Sequence, residues 1–281
     1  MLVCPHDLIF SRKGKFVLTC CLYIVTGACN SVGFIPMYIA GGYGPLMPKL
    51  GLGIDNIISA RLLLSTGEVR VASRTENSDI FKVIRGAGQV LGIVSELTVT
   101  TYPLAETVRS ADGTVWSGVF ALPIKRATDV ADMLNKLLVA PEMAMYMAVT
   151  LPPPDQRLPA TVPIIMLILT YFGSNDEADA AYAGIYDLRP VELSVQRVPY
   201  AQMNDGNLAY QQIGGFKRSF GIGLARIEGP ALAELTKQVK ELVNSRPDFH
   251  KTVVMFEMLG MRMPRDHTYS VYPYRSVRNW W

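Results

Sequence analysis

The sequence predicts a globular protein of mixed helices and β-sheet, built in two parts that differ in periodicity. Nearly half of its 281 residues are hydrophobic and only 18% are charged, which is typical of a chain with a large core rather than of a disordered one. The first hundred residues contain short strand-like runs between glycine turns. After Tyr102, amphipathic helices alternate with apolar runs of strand length, and this pattern predicts a sheet covered on one side.

The first part contains several strand signals. An apolar run from Phe16 to Val25 follows basic residues, so it fits either a buried strand or a short signal peptide. We favour the strand, because a glycine-rich region begins directly after it. Two further strands flank the turn at residues 65–68, a hairpin signal. The run "GIVSELTVTTYP" predicts another strand, which ends at Pro103.

The second part contains three predicted helices and three predicted strands. Ser174 and Glu177 form a capping box that marks the start of the second helix. The run Pro152–Pro154 predicts a rigid turn, and the boundary between the two parts is placed between Tyr102 and Glu106. Apolar residues at helical spacing mark the other two helices, and they are Val130, Met133, Leu134, Leu137 and Leu138, then Leu232, Leu235, Val239, Leu242 and Val243. The predicted strands are "MYMAVT", "PIIMLILT" and "TVVMFEML".

Composition and motif spacing argue against several classes of function. A net charge of +3 is too small and too scattered for a nucleic-acid-binding surface. All four cysteines lie within the first 29 residues and the three histidines are dispersed, so we predict neither a disulfide framework nor a metal site. The apolar run from Phe16 to Val25 has ten residues, which are too few to span a bilayer. The sequence contains no Walker loop, and "GAGQVLG" has the wrong spacing for a Rossmann fingerprint.

The stretch "AGGYGPLMPKLGLGIDN", residues 40–56, is unusually rich in glycine and proline. Gly41, Gly42 and Gly44 leave backbone N–H groups without shielding side chains, which suits the close approach of a pyrophosphate. A plain surface turn explains the same composition. The order of the motifs that follow this stretch favours ligand binding over a plain turn.

That order resembles flavoproteins of the vanillyl-alcohol oxidase / p-cresol methylhydroxylase (PCMH) type, especially the berberine-bridge-like FAD-linked oxidoreductases of fungi. The resemblance rests on "CNSVGF", "AGGYGPLMPKLGLGIDNIISARLLLSTGEV", "ENSDIFKVIRGAGQVLGIVSELTV" and "TYP", and it covers residues 27 to about 105. It implies an α+β fold with a partial PCMH-type FAD-binding domain at 1–105. A substrate domain at 106–281 would have an antiparallel sheet flanked by helices.

The resemblance also implies which residues contact FAD. Cys29 matches a cysteine that in some members bonds covalently to the flavin ring, although a small buried residue is the simpler explanation. For the substrate side, Glu257, Tyr272, Tyr274 and Arg275 are only weak catalytic candidates, and Glu257 could instead face solvent from its strand. The implied cofactor contacts are Cys29, Gly33, Gly41, Gly42, Tyr43, Gly44, Asp55, Asn56, Gly92, Ile93 and Val94.

The sequence also departs from the family pattern. Pro36, Ala40 and Lys82 replace a usual glycine, glycine and tryptophan, and Val90-Leu91 replaces a pair that usually ends in phenylalanine. We find no counterpart of the N-terminal FAD subdomain with its flavin-attaching histidine, nor of the usual C-terminal segment, so the chain is expected to be truncated at both ends.

The predicted function is FAD-dependent oxidation of a small organic molecule, such as a secondary metabolite, by hydride transfer to flavin with oxygen as acceptor. The first alternative is a truncated, inactive relative that binds flavin weakly or not at all. The second, a non-enzymatic binding protein, has only the apolar composition in its favour. The sequence identifies neither the substrate, nor the compartment (secreted or cytoplasmic), nor the oligomeric state.

Overall fold

The structure, a computed structural model, describes residues 22–110, 112–152, 157–205, 220–260, 270–273 and 279–280. The chain divides into two compact units. The first unit takes residues 1–114, 199–218 and 261–278, and the second takes 115–198, 219–260 and 279–281. The domain boundary near residue 105 stays a prediction. Most of the apolar run from Phe16, the Pro152–Pro154 turn beyond Pro152, Tyr274 and Arg275 lie outside the described residues.

The first unit contains two small antiparallel sheets. In the three-stranded sheet, the order is β3-β2-β4, with Leu63 of β2 opposite Val69 of β3 and Ile93 of β4. The turn at 65–68 joins β2 to β3, which confirms the predicted hairpin. The predicted strand at GIV is β4, but it ends at Val99 and not at Pro103 as predicted, because Tyr102 and Pro103 pair with a different strand. The strands of this unit are β1 (Leu22–Tyr23), β2 (Ile57–Leu64), β3 (Val69–Ser73), β4 (Gly92–Val99) and β5 (Tyr102–Pro103), with β1 paired to β5.

Helices in the first unit were not expected from the sequence, which we interpreted as strands and turns. The longest, α3, was interpreted only as a charged stretch, yet Phe81 and Ile84 lie one turn apart on its buried face. It is distorted at Arg85 and Gly86, where Gly86 has a φ of 135°. The helices are α1 (Phe34–Ile39), α2 (Met47–Leu50), α3 (Ser78–Ala87) and α4 (Leu104–Val108), with 3-10 turns at Gly53–Asn56 and Gly88–Val90.

The second unit is built on a six-stranded sheet of order β11-β10-β7-β8-β6-β9. The pairs β11–β10, β10–β7, β7–β8 and β8–β6 are all antiparallel. The three strands predicted in this half are β7, β8 and β10, so this part of the prediction is confirmed. The strands are β6 (Thr114–Pro123), β7 (Met143–Thr150), β8 (Ile164–Tyr171), β9 (Val191–Pro199), β10 (Val254–Gly260) and β11 (Asn279–Trp280).

Helices cover one face of this sheet and enclose the core of the unit. Alternate residues of β7, among them Met145 and Met147, pack against Leu134 of one helix and Val239 of another. The predicted capping box is present, because the Glu177 N–H donates to Ser174 Oγ and the Glu177 carboxylate accepts the Ser174 N–H. The helices are α5 (Ala127–Lys136), α6 (Asn175–Ala181), α7 (Ala183–Tyr186) and α8 (Gly229–Ser245), with 3-10 turns at Ile124–Arg126 and Pro247–Phe249. The 3-10 turn at Tyr200–Gln202 belongs to the first unit.

The sequence extended the first of these helices too far. We predicted that Leu137 and Leu138 continue its apolar face, but α5 ends at Lys136 and Leu137 is already extended. Leu138 is 86% exposed, so assigning it to the buried face was wrong. The helical spacing persists in the sequence past the last helical residue, which is why periodicity alone misplaced the end. Among the helices in the described part of the chain, none has both the length and the apolarity that crossing a bilayer requires.

Candidate functional site

The glycine-rich turn is held by a backbone crossing between residues 41–42 and 53–54. The Gly53 N–H donates to the Gly42 carbonyl over 2.6 Å, and the Ile54 N–H donates to the Gly41 carbonyl over 3.1 Å. A Cβ on Gly42 would lie 2.7 Å from the Cα of Gly53, and Gly42 has a φ of 73°. Glycine is therefore required at position 42, by close backbone packing and by a positive φ.

The other two glycines of the turn also meet protein atoms. A Cβ on Gly44 would lie 1.9 Å from the Thr26 carbonyl oxygen, and one on Gly41 would lie 2.6 Å from the Tyr272 ring. All three glycines of the turn are buried. The space that a side chain would occupy at these positions is therefore filled by other protein atoms. A ligand can approach the turn only from the side opposite to these contacts.

Asp55 forms a buried ion pair with Arg85. The guanidinium Nη2 lies 3.2 Å from Asp55 Oδ1, and the two side chains are 2% and 5% exposed. Arg85 Nε also donates to the Ile54 carbonyl over 2.6 Å, and Asp55 Oδ2 accepts the Leu52 N–H. These bonds compensate for the desolvation of the two charges. Asp55 thus fixes the turn at 53–56 from inside the unit.

Asn56 is 1% exposed and its amide is bonded on both sides. Its Nδ2 donates to the carbonyls of Leu50 and Leu52, and its Oδ1 accepts the Tyr102 hydroxyl over 2.5 Å. The side chain therefore connects three segments of the unit. In this arrangement Asp55 and Asn56 form the scaffold beneath the glycine turn.

A second group of the predicted cofactor contacts lies at the surface. Gly33 and Tyr43 are exposed, Ile93 is 68% exposed, and Cys29 is half-buried with its Sγ 3.0 Å from Ser31 Oγ. Gly92 is half-buried at the start of β4 and has a φ of 153°. Val94, two residues further along the same strand, is only 9% exposed, so it does not belong to this surface group.

The segment that carries Cys29 is fixed by buried tyrosines. The Tyr38 hydroxyl donates to the Val25 carbonyl over 2.8 Å, and the Tyr200 hydroxyl lies 2.9 Å from Thr26 Oγ1. Burial raises the pKa of both tyrosines well above the usual value. Both phenols therefore stay protonated at neutral pH and remain hydrogen-bond donors.

The catalytic candidate Glu257 lies on β10 opposite Tyr146 of β7. Met258, its neighbour along the strand, is in the helix-covered core, so Glu257 and Tyr146 are on the other face of the sheet. Tyr146 is 6% exposed and Glu257 is half-buried. A half-buried carboxylate opposite a buried phenol is suited to proton transfer. The other described candidate, Tyr272, lies in the first unit, where its ring packs on Gly41.

Sequence reasoning missed Arg85, Tyr102 and Tyr146. Arg85 is 30 positions from its partner Asp55, and Tyr102 is 46 positions from Asn56. No local periodicity connects residues at such separations. An arginine directly before the glycine of "IRGAG" is a usable signal, because a charged residue at a helix break needs a partner when it is buried.

The fold of the chain is that of flavin-dependent oxidoreductases. A variant of berberine bridge enzyme, described as a reticuline dehydrogenase, superposes with a TM-score of 0.67 over 92% of this chain and 51% of its own, at 17% identity. No protein-family model matches the sequence.

Curated relatives give the same assignment at higher identity. An FAD-linked oxidoreductase of Pyricularia oryzae is 30% identical over 268 residues, which are 90% of this chain and 50% of that protein. One from Aspergillus fumigatus is 27% identical over 251 residues, 86% of this chain and 51% of that protein. The chain belongs to the FAD-linked oxidoreductases, and the solved structures that it resembles in fold include berberine bridge enzyme and 6-hydroxy-D-nicotine oxidase. It spans about half the length of the curated relatives it matches.

Proposed function

We propose that this chain contributes to an FAD-dependent oxidoreductase that oxidises a small organic molecule, with oxygen as the final acceptor. The observation that carries the proposal is the buried crossing of residues 41–42 over 53–54, found in a chain whose relatives are named FAD-linked oxidoreductases. When bound, FAD supplies a two-electron acceptor for hydride from the substrate.

The residues that the resemblance assigns to FAD form two layers, an inner one that is buried and an outer one that is exposed or half-buried. Gly41, Gly42, Gly44, Asn56 and Val94 are buried, as is the side chain of Asp55, and these residues form the inner layer, which fixes the backbone. Gly33, Tyr43, Ile93 and Cys29 are exposed or half-buried, Gly92 lies between the layers, and these five would contact FAD. Backbone N–H groups and small side chains suit an anionic pyrophosphate, because they approach closely and bring no competing negative charge.

On the substrate side, Glu257 would accept the proton that the substrate hydroxyl or amine loses. Oxidation of such a group releases a proton together with the hydride, so a nearby base lowers the barrier. The neighbouring buried Tyr146 would orient the substrate polar group. The proposal assigns no such role to Tyr272, whose ring packs on Gly41.

The first experiment measures cofactor content. The chain is expressed and purified, denatured with acid, and the released and retained flavin are quantified by their visible absorption. The proposal expects FAD in a fixed ratio to protein. Flavin that stays with the precipitate in the wild type but is released from Cys29→Ala would assign a covalent link to Cys29. Absence of FAD after reconstitution with excess cofactor would contradict the proposal.

The second experiment tests the base. Reduction of bound flavin by a panel of alcohols, amines and polyketide-like phenols is followed without oxygen, and reoxidation is then compared for oxygen and an artificial acceptor. For a substrate found in this way, Glu257→Gln should slow flavin reduction by about 10²–10⁴-fold with unchanged FAD content. Glu192→Gln, at an exposed glutamate of β9 in the same sheet, is the matched control. Equal rates in the two variants would remove Glu257 from the proposal.

A further inference from the structure

The segment 270–272 binds to a carbonyl that the distortion of α3 sets free. At Arg85 the backbone leaves helical geometry, with a ψ of 64°. Its carbonyl accepts the Val271 N–H over 3.2 Å and the Ser270 hydroxyl over 2.7 Å. Ser270 Oγ in turn accepts the Tyr272 N–H over 3.2 Å. One main-chain carbonyl therefore fixes the start of this segment.

Two glycines from different motifs make room for Tyr272. A Cβ on Gly86 would lie 2.7 Å from the Tyr272 backbone nitrogen, and a Cβ on Gly41 would lie 2.6 Å from Cε2 of its ring. Both glycines have positive φ values, 135° and 133°. Because any side chain at either position would displace Tyr272, both glycines are needed for the same contact.

The side chain of Arg85 completes the arrangement. It holds the Ile54 carbonyl and the Asp55 carboxylate, while the Ile54 N–H binds the Gly41 carbonyl. Arg85 is therefore bonded through its side chain to the turn that supports Gly41, and through its carbonyl to the segment whose tyrosine covers Gly41. These contacts form a closed ring through Arg85, Ile54, Gly41 and Tyr272.

We propose that Tyr272 is a positioning residue that holds the glycine turn at 41–44 in the conformation able to bind the FAD pyrophosphate. Its ring packs on Gly41 and limits the movement of the turn away from residues 53–54. A turn that adopts this conformation only part of the time binds with an affinity reduced by that fraction. The affinity part of this inference rests on the proposed function, whereas the packing part does not.

The test compares Tyr272→Ala, Tyr272→Phe and, as a matched control in the same segment, Val271→Ala at a residue that is 41% exposed. Hydrogen exchange of the Gly53 and Ile54 amides reports the crossing directly, with the β2–β4 amides as internal reference. Affinity for FAD is measured by quenching of flavin fluorescence. Ser270→Ala removes the hydrogen bond to the Arg85 carbonyl and the acceptor of the Tyr272 N–H but keeps the Tyr272 ring, so it provides a milder change if Tyr272→Ala does not fold.

Tyr272→Ala should accelerate exchange at Gly53 and Ile54 relative to β2–β4, and should weaken FAD binding about tenfold if the competent fraction falls to roughly a tenth. Val271→Ala should match the wild type, Tyr272→Phe, which keeps the ring, should stay nearer to the wild type than Tyr272→Ala, and Ser270→Ala should lie between. Unchanged exchange in both Tyr272→Ala and Ser270→Ala would overturn the inference. Tighter FAD binding by Tyr272→Ala would also overturn it, because the ring would then compete with the ligand. A wild-type chain that binds no FAD contradicts the proposed function, and the exchange data alone then decide this inference.

Discussion

Replacing Asn56 by leucine should destabilise the first unit because it removes two buried hydrogen bonds and a partly buried one, while it keeps the number and branching of the side-chain heavy atoms. The carbonyls of Leu50 and Leu52 lose the donor that they share, and the Tyr102 hydroxyl loses its acceptor. A buried polar group left without its partner costs about 1–3 kcal/mol, and this cost falls on the Leu50 carbonyl. The Leu52 carbonyl still accepts the Asp55 N–H over 3.0 Å, so its lost bond costs only about 0.5–1.5 kcal/mol. Tyr102 is half-buried, so water can replace its lost bond.

The added apolar atoms offset roughly 1 kcal/mol of this cost. The expected net loss in the free energy of unfolding is therefore about 1–3 kcal/mol, a substantial share of the ~5–15 kcal/mol typical of a folded domain. Urea unfolding followed by circular dichroism, analysed by linear extrapolation, measures it. A loss of less than about 0.5 kcal/mol would show that these bonds contribute little net stability.

A second substitution at the same position separates hydrogen bonding from packing. Asn56→Asp keeps the size and the acceptor for Tyr102, but it turns an oxygen instead of a donor toward Leu50 and Leu52. Burial beside carbonyl oxygens raises the pKa of the new carboxyl in the folded state. Its protonated form can donate, so the variant should be most stable below the unfolded-state pKa and lose stability as pH rises. Asn56→Leu, relative to wild type, should show no such pH dependence, and identical pH profiles for the two variants would refute this reasoning.

Three further predictions concern the second unit. Burial, and next the Asp179 carboxylate, raise the pKa of Tyr186 to about 12 from 10.0, so the stability that this residue contributes is lost as pH rises through that range. Tyr186→Phe should therefore flatten the decline in melting temperature between pH 10.0 and about 12. An unchanged slope would contradict this. Leu134→Ala should cost about 2–5 kcal/mol in urea unfolding, because Leu134 is 0% exposed, whereas Leu138→Ala at an exposed position should change stability by less than ~0.5 kcal/mol; equal effects would show that α5 extends further than described. Ser174→Ala should cost about 1 kcal/mol by the same measurement, because it removes the cap of α6, and a loss near zero would mean that the capping box is not formed in solution.

The second unit was the more predictable one because its pattern is local. In β7 and β8, long apolar runs flanked by turn residues give strand length directly, and the helices show their periodicity over two or more turns. The helix α3 has ten residues, with one glycine inside it, another directly after it, and several charged residues. These residues obscure its helical periodicity, because only a few apolar residues lie on its buried face. Its stability comes from Arg85 and its distant partners, which propensity does not record.

The site was predictable in its composition but not in its geometry. The glycines at 41, 42 and 44 were found from the sequence alone, as was the likeness of their order to flavoproteins. The sequence did not predict that they pack against Gly53, Thr26 and Tyr272, because the last of these contacts joins positions more than two hundred residues apart. Side-chain direction at Glu257 likewise required the register of β10 against β7.

The order of strands in the six-stranded sheet has a consequence for how the chain folds during synthesis. β7 pairs on one side with β8, which follows within a short stretch of chain, and on the other with β10, which begins roughly a hundred residues after β7 ends. A ribosome adding about 5–20 residues each second needs several seconds to supply that partner. For this interval the whole length of β7, all of whose residues are buried in the finished sheet, presents unpaired backbone groups beside methionine and alanine side chains. Such an edge is a template for pairing with another chain, so the yield of soluble protein should depend on translation speed and chaperone supply more than on the stability of the finished fold.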